Sequence, residues 1–591
     1  MSCPLSSIFA FVALGIAAFG LGRPLLRWIG VADDDWLTTT VFSVGLGLTT
    51  AGLVLLLLGM AGILYLPLVG MLTMIGCCWG LVEMGILWLR VKETIPEALQ
   101  QPADPWEPSG VPPWPAPPRG LLAGVLAVAV IVGLASFLDA LTPPTTNDTL
   151  SCQLESAKRF LVDHRIAELP ASDRAARPLL VDMWYLWALV FESGVCAQLV
   201  HWGLGILLVL ATVALATPLL GRPWAWLAGS LVVLTPGINR QMSLPTESVA
   251  LAALCTLALA AWWQAVMHGG PRRWFVVAGL AGGGALGIHY AAALLVPALG
   301  GAWAWAVLRR VEQRRFLLEG GAVATLIALA VGGLCSFPAF WPAAKSTCLA
   351  TPGITAALLS DHLGIVLLAA VPGVLLVRRL RGLGAVLSAA LVYAVLVCVL
   401  NGDARLLFVA VPLLSVAAVW VWIELSRFPR PARWAAAAAF AMMIAGSTAA
   451  SLTRSPDALR VALGLEDREE YLLQHEPTYL AAAIANRLLR TNSRLLSQER
   501  RAFYFDCPVT WESSLGRTVD GNPSAWSARE TVERLRRAGF THLLLAETAP
   551  NEPKTVLSPL SRVADANSLL TDYRFRTTDG SVRHYRLVML R

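Results

Sequence analysis

The stretch PPTTNDTLSCQLESAKRFLVDHRI, residues 143–166, follows directly on an apolar run long enough to cross a bilayer. Asp148 lies just past the exit of that run, and a short amphipathic helix is predicted next. Leu154, Ala157, Phe160 and Leu161 fall on one face of it, and Glu155, Lys158, Arg159 and Asp163 on the other. That spacing suits a helix lying in the membrane interface, apolar side down. A carboxylate at the mouth of a bundle, beside such a helix, is a place to do chemistry on a lipid-borne substrate. Asp148 could accept a proton from an acceptor hydroxyl or hold a divalent metal. Asn147 and Asp148 are also strong helix cappers, so the local pattern fits a plain N-cap or Asx turn as well.

Around this loop the chain is built for lipid. Of its 591 residues 56% are hydrophobic and only 14% charged, and the mean hydropathy is +0.62. Repeated apolar runs separated by short Arg-rich turns imply a polytopic helical membrane protein. The runs at 7–22, 40–64, 67–90, 120–138, 195–217, 224–237, 247–268, 274–288, 290–308, 316–340, 363–377, 382–400, 405–424 and 434–452 give about fourteen candidate spans. Those at 224–237 and 274–288 are short enough to be tilted or broken. Ser7 to Gly22 has no positive n-region and no small-residue cleavage site, which reads as a retained span.

The net charge of +7 does not indicate nucleic-acid binding, because the cations sit in turns between spans and not in one patch. Arg23 and Arg27, Arg90 with Lys92 and Arg119, Arg222, Arg272 and Arg273, Arg309 to Arg315, Arg378 to Arg381, and Arg427 to Arg433 all fall on one side. The positive-inside rule makes that side cytoplasmic, so both termini and the Asp148 loop are expected outside.

Four parts are expected. Residues 1–90 are N-terminal membrane spans, and 91–119 a Pro-rich cytoplasmic linker. Residues 120–453 form the membrane core, with an exterior loop at 139–178. Residues 454–591 form an exterior α/β domain, long enough for a core of its own. Within that domain Tyr479 to Leu489 and Ser527 to Ala538 read as helices, Arg501 to Phe505 and Thr541 to Leu545 as strands, and Asp579-Gly580 as a hairpin turn. Most of the ten cysteines lie in apolar runs; Cys152, Cys348 and Cys507 fall outside, where one bridge among them is conceivable but not fixed by spacing.

Other residues carry competing readings. Glu247, in LPTESVAL, opens a span, where an acid complements the helix dipole without needing a function; it gains interest if it converges on Asp148. His289, beside Tyr290, interrupts GLAGGGALGIHYAAALL and would either bind a phosphate or meet interfacial water. His201 suits an interhelical hydrogen bond. Arg405, in NGDARLLFVAVPLL, breaks the charge asymmetry; it would snorkel, pair with Asp403, or clamp a phosphate with its planar fork. Glu83 is expected to reach the cytoplasmic interface near Arg90, and Glu192 fits no proton relay.

Taken in order, VGLGLTTAGLVLLLLGMAGIL (44–64), the loop 143–166, RPLLVDMWYLWALVFESGVCAQLVHWGLGIL (177–207), NGDARLLFVAVPLL (401–414) and AGFTHLLLAE (538–547) resemble the bacterial GT-C-fold membrane glycosyltransferases of the dolichyl-phosphate-mannose-type mannosyltransferase and ArnT-like superfamily. The resemblance spans most of the chain. It implies an all-α polytopic bundle with a C-terminal soluble α/β exterior domain in a bacterial inner membrane. It also implies transfer of a sugar from a polyprenyl phosphate to a lipid or glycan acceptor. By that resemblance Asp148 is the catalytic carboxylate, or a ligand of Mg or Mn if a metal takes part. Arg405, His289, Glu247, Gln153 and Lys345 are implied substrate-binding residues. Cys152 and Gln153 stand where the family tends to have Tyr-His. Glu247 stands where Asp is usual, and His289 where Lys is common. The stretch Ser336 to Pro352 keeps Pro338, Trp341 and Lys345 but lacks the family's Gly-Asn-Pro element. These departures keep open a non-catalytic scaffold that binds an envelope partner. A transporter of lipid-linked glycans is a further alternative, although the spans show no clear inverted repeat.

Overall fold

The computed structural model describes residues 4–31, 35–98, 117–166, 177–191, 194–266, 270–340, 383–400, 403–425, 429–452, 455–490, 493–512, 527–548, 569–576 and 582–590. The membrane part is all-helical. Its helices are α1 (Pro4–Ile29), α2 (Trp36–Met60), α3 (Leu66–Ala98), α4 (Arg119–Ala140), α5 (Leu154–Asp163), α6 (Leu180–Phe191), α7 (Gly194–Leu220), α8 (Arg222–Val233), α9 (Pro236–Met242), α10 (Ser248–Val266), α11 (Arg273–Leu286), α12 (Leu295–Arg309), α13 (Arg314–Phe340), α14 (Leu383–Leu400), α15 (Val411–Leu425) and α16 (Arg430–Leu452). Among the described residues eight helices are long and apolar enough to cross a membrane. Four more apolar helices are shorter. The expected count of about fourteen is therefore not reproduced as full-length spans. The runs at 224–237 and 274–288 become helices of 12 and 14 residues, and the run at 363–377 lies outside the described residues.

Close packing in the N-terminal helices comes from small residues. A Cβ on Gly22 of α1 would meet the Ser43 carbonyl oxygen of α2 at 1.8 Å, and one on Gly47 would meet that of Ala18 at 1.7 Å. Glycine at both points lets the two backbones approach, as membrane helices do where no hydrophobic drive separates protein from lipid. α6, too short to be read as a span, is almost wholly buried, with Trp184, Tyr185 and Trp187 inside. Each polar tip finds an acceptor, which burial in an apolar core demands. The Trp184 indole donates to the Leu48 carbonyl and that of Trp187 to Thr73 Oγ1, both at 2.7 Å. His201 is an interhelical bonder as expected, 2.7 Å from the Tyr185 hydroxyl, which in turn donates to the Thr246 carbonyl.

Glu83 is buried, and it pairs with Arg27 at 2.6 Å and with the buried Arg23 at 3.8 Å. It thus ties α3 to α1, beside two of the cations expected on the cytoplasmic side. Arginines also join the turns at one end of the bundle. Arg273 donates to the Gly30 carbonyl, Arg310 to that of Val266, and Arg222 lies 3.6 Å from Asp35. α10 runs from Ser248, next to Glu247 at the opposite end, to Val266 at this one.

The C-terminal domain follows through α17 (Ser455–Ala462), α18 (Arg468–His475) and α19 (Tyr479–Leu488). Its strands are β1 (Leu495–Ser497), β2 (Val509–Trp511), β3 (His542–Thr548), β4 (Leu569–Arg576) and β5 (Val582–Met589), with α20 (Ala528–Arg537) before β3. The sheet order is β2-β1-β3-β5-β4; β1 runs parallel to β2 and β3, and β5 antiparallel to β3 and β4. Alternation along β3 sends Leu543 and Leu545 under Leu535 of α20, while Leu544 faces Ala481, Ala482 and Ala485 of α19. Both faces of the sheet are thus covered. Ser527 caps α20 by accepting from the Glu530 amide, and Gly539 ends it at φ +86°. The helices read at 479–489 and 527–538 and the strand at 541–545 are present; residues 579 and 580 lie outside the described residues.

Arg501 to Phe505 is not a strand. Several of its backbone groups are bonded by the membrane core, while the Tyr504 carbonyl accepts from Asn486 and the Phe505 amide donates to the Ala502 carbonyl. The amides of Ala502 and Phe503 donate to the Leu150 carbonyl, and the carbonyls of Phe503 and Phe505 each accept from Lys158 at 2.9 Å. The Tyr504 hydroxyl adds a bond to the Pro144 carbonyl at 2.8 Å. This also corrects the reading of α5. Its apolar face packs into the bundle through Leu154, Ala157 and Phe160 as expected. Its charged face does not lie free at an interface: Lys158 and Arg159 hold the C-terminal domain, Arg159 through the Val509 carbonyl at 2.7 Å.

Candidate functional site

Between that domain and the bundle lies a cavity of about 230 Å³. The loop before α5 supplies its first wall. Residues 149–153 form a single π-helical turn, with Asp148 at its start. Asp148 makes no capping bond to the turn. Its side chain instead accepts from Arg405 Nη1 at 2.7 Å, a residue 257 positions away in sequence. Of the two local readings of Asp148, the cap is the one the structure lacks.

Arg405 sits in a short 3₁₀ helix, residues 404–409, that leads into α15. Asp403 fixes it three ways. The Arg405 amide and Nε both donate to Asp403 Oδ1, at 2.9 and 3.2 Å, and Nη2 donates to Oδ2 at 3.2 Å. Bidentate contact of this kind sets the plane of the guanidinium as well as its position. Burial by itself raises the Asp403 pKa, but the charge and hydrogen bonds of Arg405 outweigh it and hold the carboxyl below its usual range. Burial likewise works against the Arg405 charge, and Asp403 and Asp148 more than compensate.

A second charged group stands on the next wall. Glu247 immediately precedes α10, accepts from Arg177 Nη1 at 2.8 Å and lies 4.0 Å from His289 Nε2. His289 Nδ1 accepts from the Ala291 amide at 3.0 Å, capping the 3₁₀ turn of residues 290–294. A neutral His289 therefore carries its proton on Nε2, facing Glu247. Burial depresses the His289 pKa most; Glu247 opposes the fall, Arg177 adds to it, and Asp403 opposes it. That Asp403 acts on His289 links the two charged groups. Asp148, Glu247, Asp403 and Arg405 line the one cavity, so Glu247 meets the condition that made it of interest.

The third wall is the C-terminal domain, through Glu499, Arg500 and Trp511. The Arg500 guanidinium stacks 3.6 Å from the centre of the Trp511 ring. Glu499 is held by Arg583 and by the Tyr585 hydroxyl at 3.4 Å.

Comparison with known proteins adds the architecture. No family model matches the chain, and no curated protein matches its sequence. Among solved structures it is similar to ArnT from Cupriavidus metallidurans in the apo state, at 15% identity over 79% of this chain and 98% of that one, with a TM-score of 0.53. The chain has the GT-C fold. The same protein bound to undecaprenyl phosphate matches at 14% identity and a TM-score of 0.49, with the same coverage. The oligosaccharyltransferase of Archaeoglobus fulgidus in its apo form matches at 13% identity over 71% of this chain and 69% of that one, with a TM-score of 0.47. A multi-pass GT-C membrane bundle carrying a small C-terminal sheet domain is what the sequence reading expected.

Within this GT-C frame the structure gathers Asp148, Arg405, Glu247, His289 and Gln153 at or beside one cavity; Lys345 lies outside the described residues. Gln153 is 4% exposed, and its Oε1 has no hydrogen-bond partner among the described residues. A buried amide oxygen without a partner is costly, and Gln153 is one of the residues that line the cavity. As for a metal, no three His, Cys, Asp or Glu side chains gather to hold one among the described residues. Asp148 is offered an arginine, a poor neighbour for a metal ion. Cys152 and Cys507 are not joined in a disulfide. The sequence reading missed Arg177, Glu499, Arg500 and Trp511 as site residues and treated Asp403 only as a partner for Arg405. Asp403 was legible from its i, i+2 spacing to Arg405; the others carry no local signal.

Proposed function

We propose that this protein is a glycosyltransferase of the membrane, moving a sugar from a polyprenyl-phosphate donor to an envelope acceptor with inversion at the anomeric carbon. The observation that carries this reading is the Asp148–Arg405 pair, a carboxylate and an anchored guanidinium meeting at the mouth of a lipid-embedded bundle. The acceptor hydroxyl attacks the anomeric carbon and gives its proton to Asp148. The bond from that carbon to the phosphate oxygen breaks, and the polyprenyl phosphate leaves with the electron pair. Arg405 stabilises the negative charge that grows on the leaving oxygen, the kind of fixed electrostatic assistance that supplies the largest share of many rate enhancements. Gln153 and the Glu247–His289 group orient sugar hydroxyls, and the wall of Glu499, Arg500 and Trp511 receives the acceptor. The Arg-rich turns at the far end favour a cytoplasmic location for that end, and so an exterior location for the cavity and for the C-terminal domain in an inner membrane.

The test is glycosyl transfer by the purified protein in lipid, with a panel of radiolabelled polyprenyl-phosphate sugars and envelope extract as acceptor. Asp148→Asn should lower transfer by about 10²–10⁴-fold, the usual contribution of a positioned base, and Arg405→Ala should abolish it. Full transfer by Asp148→Asn would refute the assignment.

A further inference from the structure

The pairing of Asp148 with Arg405 raises a question of occupancy, because the base and the leaving phosphate need the same cation. We infer that Asp148 and the donor phosphate compete for Arg405, that Asp403 is the positioning residue which keeps the guanidinium in place, and that donor binding thereby releases Asp148 to serve as base. The inference rests on the phosphate role proposed above for Arg405.

The two carboxylates on Arg405 are not equivalent. Asp403 contacts three donors of the same residue, one of them the backbone amide, and lies only two positions away in the chain. Removing it would break the local turn as well as the ion pair. Asp148 is held by a single bond at 2.7 Å, and its side chain is 57% exposed against 34% for Asp403. A solvated, singly bonded carboxylate is the one an incoming anion displaces, since exposed pairs contribute little. The guanidinium is a planar fork, so with Asp403 on the Nε and Nη2 edge the Nη1 corner is left for exchange. Phosphate oxygens suit that corner as well as a carboxylate does. While Asp148 holds Arg405, one of its oxygens is occupied by the Nη1 hydrogen; after displacement that oxygen is open to a hydroxyl proton. Donor binding therefore frees the bonded oxygen of Asp148, Oδ2, for the acceptor hydroxyl.

The test measures equilibrium binding of farnesyl phosphate to the full-length protein in nanodiscs, with farnesol as the uncharged control. Asp148→Asn removes the competitor, so farnesyl phosphate should bind roughly three- to fivefold tighter, the range an exposed ion pair supports. Asp403→Asn should weaken farnesyl phosphate by about tenfold while leaving farnesol unchanged, which a general packing defect would not do. Glu155→Gln removes a carboxylate that lines the same cavity but bonds Arg159, and it should leave both ligands unchanged. Unaltered or weaker phosphate binding in Asp148→Asn overturns the competition, as does equal tightening in Glu155→Gln. Equal weakening of both ligands in Asp403→Asn overturns its positioning role. A wild-type protein that does not prefer farnesyl phosphate to farnesol removes the phosphate role of Arg405 itself, a failure distinct from the others.

Discussion

Replacing Lys158 by Met should loosen the C-terminal domain from the bundle while leaving α5 in place. The Lys158 ammonium donates to two backbone carbonyls at 2.9 Å, lies 3.4 Å from Asp506 and sits 5.8 Å from the Phe503 ring centre. A hydrogen bond from a charged group contributes about 1.5–3 kcal/mol net. Lys158 is 28% exposed, so the lower end applies to each carbonyl. Asp506 is 66% exposed and adds little. The ring contact adds about 0.5 kcal/mol, and methionine retains the apolar stem. The sum is about 3.5 kcal/mol, a few hundredfold in the ratio of docked to undocked domain. The amides of Ala502 and Phe503 report this directly, because both donate to the Leu150 carbonyl only when the domain is docked. Hydrogen exchange of the segment 500–511, measured by mass spectrometry in nanodiscs, should accelerate by that order in Lys158→Met, with protection in β3 and β5 retained. Exchange within threefold of wild type would refute the view that α5 clamps the domain. Because Glu499, Arg500 and Trp511 ride on that domain, sugar transfer should fall with it.

Two further outcomes follow from buried charge. Glu83→Ala removes the buried carboxylate that Arg23 and the half-exposed Arg27 face at the α1–α3 contact and should cost about 3 kcal/mol, read as a clear drop in thermal midpoint in detergent, whereas Glu83→Ala combined with Arg23→Leu and Arg27→Leu should recover much of the loss. His289 is held below its ordinary pKa chiefly by burial, so on acidification the unfolded chain takes up that proton first. Stability is therefore unaffected by His289 above a pH of about 6.5 and declines as pH falls below it; the wild type should lose more stability than His289→Asn between about pH 7 and pH 5, and parallel denaturation curves for the two would contradict this.

Some of the molecule was legible before any tertiary contact was known, and the reason is periodicity. Runs of apolar residues of span length have only one solvent available to them, and the 3.6-residue stripe of Leu154, Ala157 and Phe160 marks the face that α5 buries. The GT-C frame did not come from periodicity; it was implied by the resemblance of the segments at 44–64, 143–166, 177–207, 401–414 and 538–547. Periodicity tells which face of an element is buried, but not what meets the other face. The charges on α5 were visible, yet their partners are backbone carbonyls of residues more than 340 positions on, which carry no sequence signal at all. The same holds for Arg501 to Phe505, whose strand-like composition was outweighed by a better set of hydrogen bonds with the bundle. Glu83 was visible as an acid in a span, but only helix packing through glycines brings it against Arg27.

The chain by itself determined the solvent each segment seeks, the order of the segments, and the presence of an acid and an off-pattern arginine at one end. The tertiary structure alone decided that Asp148 abandons its local cap for Arg405, that Glu247, with His289 beside it, faces the same cavity, and that a separate domain walls one side of it. Local pattern and long-range pairing are different energies. A capping bond is decided within a few residues, whereas an ion pair between distant loops exists only after the bundle has fixed both backbones and lowered the entropy of bringing them together.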